Sequence, residues 1–240
     1  MKRFLTFLFA ISAFISANAQ QDWANYGRYE KDNIEVKKLP QDQRKVVFMG
    51  NSITDNWYSR RKQFFKDNGY IGRGIGGQTT YQMVLRFYED VINLKPQAVV
   101  INGGTNDIAL NNHPYVEDRT FQNICTMAQM AKQNKIKVIL TSITPCEKYV
   151  WRPEVTDAIE KIQSLNARIK EYAKKNKFQY VDYYAAMVEV DENGKVTGRM
   201  RPGISDKKND GTDEGCHPNH AGYEIMEPLV QAAIKKVGVK

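Results

Sequence analysis

Four short apolar runs, each followed by a polar turn and a stretch of helical length, constrain this chain more than any other feature. They are Val46-Val47-Phe48-Met49, Ala98-Val99-Val100-Ile101, Lys137-Val138-Ile139-Leu140-Thr141 and a segment near Gln179 to Tyr183. Runs of this length, rich in β-branched residues, read as strands buried on both faces. The helical stretches between them are expected from beyond Ser52 to about Gly69, from Tyr81 to Leu94, Val116 to Asn134 and Glu154 to Lys175, with a last helix from His220 to Val237. Strands alternating with helices of that length need crossover connections. The expected fold is therefore α/β: a three-layer α/β/α sandwich around a mainly parallel central sheet.

In such a sheet ligands gather at the carboxyl ends of the strands, so the residues just beyond each run are where chemistry is sought. The first run ends at Gly50 and is followed by Asn51-Ser52-Ile53-Thr54-Asp55. The second leads into Asn102-Gly103-Gly104-Thr105-Asn106-Asp107. Taken alone, either block would serve equally well as a polar turn capping the next helix. The segment Tyr70-Ile71-Gly72-Arg73-Gly74-Ile75-Gly76-Gly77-Gln78-Thr79-Thr80 reads as a glycine-rich loop that lets backbone approach a ligand. It has neither the Lys-Ser/Thr of a P-loop nor dinucleotide-binding spacing, which argues against nucleotides.

The amino-terminal stretch begins Met-Lys-Arg, continues through Phe4 to Ile11 and reaches Ala17-Asn18-Ala19. A basic start, a short apolar core and a small-x-small ending predict a signal peptide over residues 1–19 and export of the remainder, with no stable membrane anchor. Residues 20–45 read as a surface helix, around Trp23 to Asp32, and a linker. Residues 46–240 form one domain. The formal net charge of the whole chain is +8, but the basic residues are scattered rather than massed, so they read as solvated surface and nucleic-acid binding is excluded. The three cysteines allow at most one internal disulfide. Cys125 is expected to fill core on a helix face. Cys146 and Cys216 fall in loops, and their pairing is left open. Three histidines and isolated cysteines give no metal-ligand spacing, and no metal or other cofactor is expected. Asp191-Glu192-Asn193-Gly194-Lys195 reads as a hairpin tip. Trp57, Tyr58, Tyr149 and Trp151 fall in expected loops near the site, where they could pack or stack on sugar rings.

Four blocks in order carry a resemblance. Gly50-Asn51-Ser52-Ile53, Ile75-Gly76-Gly77-Gln78-Thr79, Gly104-Thr105-Asn106-Asp107 and His217-Pro218 with the acids before it resemble the sequence blocks of the SGNH or GDSL hydrolases, over nearly all of residues 20–240. The resemblance implies that Ser52 is a nucleophile and His217 its general base. It further implies an oxyanion hole from the backbone N–H groups of Ser52 and Gly77 and the side-chain amide of Asn106. It leaves the acid open: the family's usual Asp three residues before the histidine is Glu214 here, and Asp213 lies four residues before it. Position favours Glu214, and a serine–histidine dyad assisted by a backbone carbonyl is the third arrangement. The activity implied is hydrolysis of a small-molecule or glycan ester, first of all a carbohydrate O-acetyl ester. A lysophospholipase or short-chain acyl esterase is the alternative, and a catalytically poor glycan-binding module is the non-enzymatic one.

Overall fold

The computed structural model describes residues 22–239; the expected signal peptide lies outside them. Helix α1 (Glu30–Lys38) precedes β1 (Val46–Gly50), after which come α2 (Ser52–Arg60), α3 (Lys62–Asn68) and β2 (Tyr70–Gly74). Next are α4 (Thr80–Asp90), β3 (Ala98–Ile101), the short α5 (Thr105–Ile108), α6 (Glu117–Gln133) and β4 (Lys137–Thr141). The chain continues through α7 (Ala158–Asn176), β5 (Gln179–Val181) and α8 (Tyr183–Met187). Two antiparallel pairs follow, β6 (Val188–Val190) with β7 (Val196–Met200) and β8 (Ser205–Lys207) with β9 (Asp213–Pro218), before α9 (His220–Lys236). The central sheet has the order β2-β1-β3-β4-β5, and every pairing in it is parallel.

The period of two along each strand divides the core into two layers. Val47, Met49, Val99, Ile101, Val138 and Leu140 face α4, α6 and α7, meeting Met83, Phe87, Ile124, Met127, Ile162 and Leu165. Val46, Phe48, Ala98, Val100 and Ile139 face the other way, onto Ile53, Trp57, Phe65, Met226 and Val230 of α2, α3 and α9. Both faces of the strands are thus dry, which is why their sequences are continuous apolar runs rather than alternating ones.

Several expectations are corrected. The surface helix lies later than Trp23–Asp32: Asn25 takes a left-handed conformation at φ 56°, a single 3₁₀ turn follows, and regular helix starts only at Glu30. The first half of the glycine-rich segment is strand β2, not loop. Its glycines let α2 lie against the sheet, since a Cβ on Gly72 would sit 2.5 Å from the Tyr58 ring and one on Gly74 would sit 2.7 Å from the Asn51 carbonyl oxygen. Trp57 and Tyr58 belong to α2. Trp57 is core, 2 % exposed, stacked on Tyr223 and donating to Glu227 Oε1 at 3.3 Å. Tyr149 is also fully buried. Cys125 is half-buried, while Cys146 and Cys216 are both buried free thiols in one core cluster. The hairpin tip at 191–195 joins β6 to β7, and the stretch that follows it supplies β7 and β8.

Candidate active site

Ser52 opens α2 directly after β1. Asn51 is the N-cap, its side-chain oxygen accepting from the Ile53 N–H at 3.2 Å, and a first-turn residue such as Ser52 has a backbone N–H that the helix itself does not use. His217 sits on β9, 165 positions away in sequence, yet its Nε2 lies 2.9 Å from Ser52 Oγ. The other end of α2 explains how the two are held. Arg60 grips Asp206 of β8 through two nitrogens, at 2.6 and 2.9 Å, and donates to the Pro218 carbonyl at 3.2 Å, so one helix carries Ser52 and anchors the hairpin bearing His217. The planar fork of arginine suits this two-point grip.

Glu214 meets the imidazole. Its Oε1 is 3.0 Å from His217 Nδ1, and its Oε2 accepts from the backbone N–H groups of Cys216 and His217 at 2.9 and 2.6 Å. The extra methylene relative to aspartate is absorbed by this fold-back, which uses both carboxylate oxygens. Burial pushes the Glu214 carboxyl up, but the hydrogen bond to His217, the imidazole charge and the two backbone donors outweigh it, and the net displacement is downward. Glu214 therefore stays ionised beside the ring. Asp213 points elsewhere: it pairs with Lys207 at 2.6 Å and accepts from the Gly203 N–H at 2.7 Å. The carboxylate nearest the family position by sequence is the one in contact, and Asp213 instead braces the β8–β9 turn.

The residue before Gly77 lies against the serine, and Asn106 is tied to the residue after it. A Cβ built on Gly76 would stand 4.0 Å from Ser52 Cβ. Gly77 has φ 76°, and a Cβ there would meet nothing nearer than Asn111 Nδ2 at 3.9 Å. Glycine is required for the left-handed turn rather than for space, since that conformation would cost another residue about 1–2 kcal/mol. Asn106, 2 % exposed, donates one amide hydrogen to the Gln78 carbonyl at 2.9 Å; an amide nitrogen has two, which leaves the second for another acceptor. Asp107 beside it is wholly buried and accepts from Thr80 N and Oγ1 at 2.9 and 2.6 Å, tying α5 to the start of α4. Desolvation pushes its carboxyl up against those hydrogen bonds.

Sequence reasoning missed the buried frame behind these residues. The Arg86 guanidinium, with no exposed surface, donates to the carbonyls of Gly50 and Arg73 at 2.9 and 3.0 Å, to Gln78 Oε1 at 2.6 Å and to Asp90 Oδ2 at 2.8 Å. It locks the ends of β1 and β2 to the loop carrying Gly77. A signal was present: Arg86 and Asp90 fall on the same helical stripe as Met83 and Phe87, four residues apart where apolar residues would be expected. Of the four aromatics expected near the site, only Trp151 reaches it. Its ring lies 5.3 Å from the His217 ring, and its Nε1 donates to Asn111 Oδ1 at 3.0 Å, while Asn111 Nδ2 donates to the Gly77 carbonyl at 3.1 Å. Trp151 thus couples the histidine to the Gly77 loop. His113 is held 3.7 Å from Asp107 and against Tyr81, and His220 is exposed at the start of α9. Among the described residues no group of three or more His, Cys, Asp or Glu side chains is placed to hold a metal ion.

An open groove of about 740 Å³ begins at Gly77 and is lined by Gln78, Gln82, Asn111, Asn112, Trp151 and the chain's amino-terminal segment around residues 22–25. Its walls are rich in side-chain amides.

Known proteins resemble this chain to different degrees. An acetylxylan esterase of Xylanibacter ruminicola is 27 % identical over 242 residues, covering 83 % of this chain and 45 % of that protein. The uncharacterized lipoprotein YqeF of Bacillus subtilis is 37 % identical over 117 residues, covering 42 % of this chain and 48 % of that protein. The chain therefore spans about half the length of the curated relatives it matches. The crystal structure of a GDSL-like lipase from Bacteroides thetaiotaomicron is 52 % identical with a TM-score of 0.79, covering 89 % of this chain and 98 % of that one. With residues 48–225 matching the GDSL-like lipase/acylhydrolase family as well, the chain belongs to that family.

Proposed function

We propose that the protein removes O-acetyl groups from a carbohydrate through an acyl-enzyme on Ser52. The observation that carries the substrate class is the groove beside Gly77: its amide-rich walls and open form suit a hydroxyl-bearing alcohol, whereas a long acyl chain needs an apolar channel. The 27 % identity to an acetylxylan esterase points the same way.

In this reading His217 Nε2 takes the Ser52 proton as Oγ attacks the ester carbonyl. Glu214 holds the Nδ1–H tautomer and balances the imidazolium that forms. The developing oxyanion accepts from the N–H groups of Ser52 and Gly77 and from the second amide hydrogen of Asn106. Collapse breaks the ester bond, and His217 returns its proton to the departing sugar hydroxyl. Water, deprotonated by the same imidazole, then attacks the acetyl-serine, releasing acetate and restoring Ser52. The Met1–Ala19 pattern supports export, which suits an enzyme acting on polysaccharides met outside the cytoplasm. No helix among the described residues is long and apolar enough to cross a membrane.

Two carboxylates allow a direct check of roles. Glu214→Gln is expected to lower kcat on p-nitrophenyl acetate by roughly 10²–10⁴-fold, because a neutral amide neither fixes the tautomer nor balances the cation. Asp213→Asn should cost less than about threefold, its partners being Lys207 and the Gly203 N–H. Equal losses would overturn the assignment.

The substrate is tested with p-nitrophenyl esters from acetyl to long acyl and with acetylated xylan, using wild type and Ser52→Ala. Turnover greatest for acetyl, with acetate released from the xylan, is the expected result. Preference for long chains, with no acetate from xylan, would replace a sugar substrate by a lipid.

A further inference from the structure

The amino-terminal segment is built into the groove wall rather than laid loosely over it. Gln82 Nε2 donates to the Trp23 carbonyl at 2.7 Å, and Gln78 Nε2 donates to the Ala24 carbonyl at 2.8 Å, with Ala24 buried. The same Gln78 accepts from Arg86, and its carbonyl accepts from Asn106. Gln82 also accepts from the Thr79 N–H and from Asn112 Nδ2. Residues 22–25 close into a turn, the Asn25 N–H donating to the Asp22 carbonyl at 2.9 Å, and the Gly27 N–H donates to Asp22 Oδ2 at 3.1 Å. On this pinned backbone Trp23 is 43 % exposed. It lines the same groove as Trp151, which borders the histidine, and the groove also carries one carboxylate, Asp22, and one guanidinium, Arg152.

A large indole held on a fixed backbone yet left open to solvent contributes little to the core, but it offers a flat apolar face of the kind that packs against the C–H face of a sugar ring. The groove volume falls within the range of small-molecule sites, about 300–1,000 Å³, and exceeds what one sugar ring occupies. Its charged pair is balanced, which suits an uncharged chain of hydroxyls. We infer that Trp23 is the platform of a sugar-binding subsite away from Ser52, so that the enzyme acts on acetylated oligosaccharides or polysaccharides in preference to single acetylated sugars. This rests on the carbohydrate reading above and names the residue that selects for chain length.

The test compares wild type, Trp23→Ala and Trp23→Phe on acetylated xylo-oligosaccharides of two and six units and on p-nitrophenyl acetate. For Trp23→Ala, the ratio of kcat/KM on the hexamer to that on p-nitrophenyl acetate is expected to fall about tenfold, through KM, and Trp23→Phe should recover most of it. The preference for hexamer over dimer should vanish with it. A loss shared equally by p-nitrophenyl acetate would mark Trp23 as structural and overturn the subsite, as would an unchanged ratio. Binding of xylohexaose to Ser52→Ala, with and without Trp23→Ala, separates the two readings by calorimetry. If wild type cleaves no acetylated xylo-oligosaccharide but xylohexaose binding depends on Trp23, the deacetylation reading falls and the subsite stands. Binding indifferent to Trp23, or none, overturns the subsite.

Discussion

Ser52→Ala is expected to lower kcat on p-nitrophenyl acetate by about 10⁴-fold or more, and His217→Ala by a similar factor. The reason is the 2.9 Å contact between Ser52 Oγ and His217 Nε2. A serine hydroxyl is a weak nucleophile until a positioned base takes its proton, and the base has no substrate-directed nucleophile to serve once Oγ is gone. The two losses should therefore not add: the double variant is expected to be no slower than about threefold below the worse single one, because both remove the same proton-transfer unit. Steady-state rates at high enzyme concentration, with circular dichroism to establish folding, measure this. Multiplying losses would mean that the two residues act in separate steps. KM should change little, since neither side chain forms the groove walls.

The second large effect belongs to Asn106. Asn106→Ala is expected to cost roughly 10²–10³-fold in kcat, about 3–4 kcal/mol, with KM nearly unchanged, because in the proposed oxyanion role its second amide hydrogen serves charge that exists only as the carbonyl is attacked. The variant also removes the donor to the Gln78 carbonyl, so a readout is needed that a displaced loop would not imitate. The split between kcat and KM provides it. Gln78 lines the groove, so a displaced Gln78 loop would raise KM for an acetylated oligosaccharide, whereas loss of an oxyanion donor lowers kcat and leaves KM in place. If Asn106→Ala acted mainly through KM, Asn106 would be holding the Gln78 loop in place, and the oxyanion role would be withdrawn.

What the sequence disclosed and what it hid follow from the same physics. The strand runs at 46–49, 98–101 and 137–141 are legible because a parallel strand buried on both faces has no polar positions. Ser52 and Asn106 are legible because each follows such a run by a few residues. Strand β2 was hidden because its two glycines signal a loop, while their actual use is to admit α2 against the sheet. Trp57 was misplaced because a polar start, Asn-Ser-Ile-Thr-Asp-Asn, obscured that α2 begins at Ser52 and already turns Ile53 and Trp57 inward. The supports of the site, Arg60 with Asp206, Arg86 with Gly50 and Gln78, and Asn111 between Trp151 and Gly77, join residues far apart in the chain. Nothing local in sequence announces a partner of that kind; only the charged pair Arg86 and Asp90 on an apolar helix stripe gives a hint. The choice of Glu214 over Asp213 depended on which carboxylate could turn back to the imidazole, a matter of β9 geometry that spacing alone leaves open.

Chemical trapping tests the serine mechanism most directly. Wild type would be incubated with a fluorophosphonate, an ester analogue that stays bonded to an activated serine, and then digested for peptide mass spectrometry, with Glu214→Gln and Ser52→Ala in parallel. A single adduct on Ser52, formed in step with loss of activity, much slower in Glu214→Gln and absent from Ser52→Ala, is the predicted result. Full inactivation with the adduct on another residue, or ester hydrolysis surviving complete modification of Ser52, would contradict it.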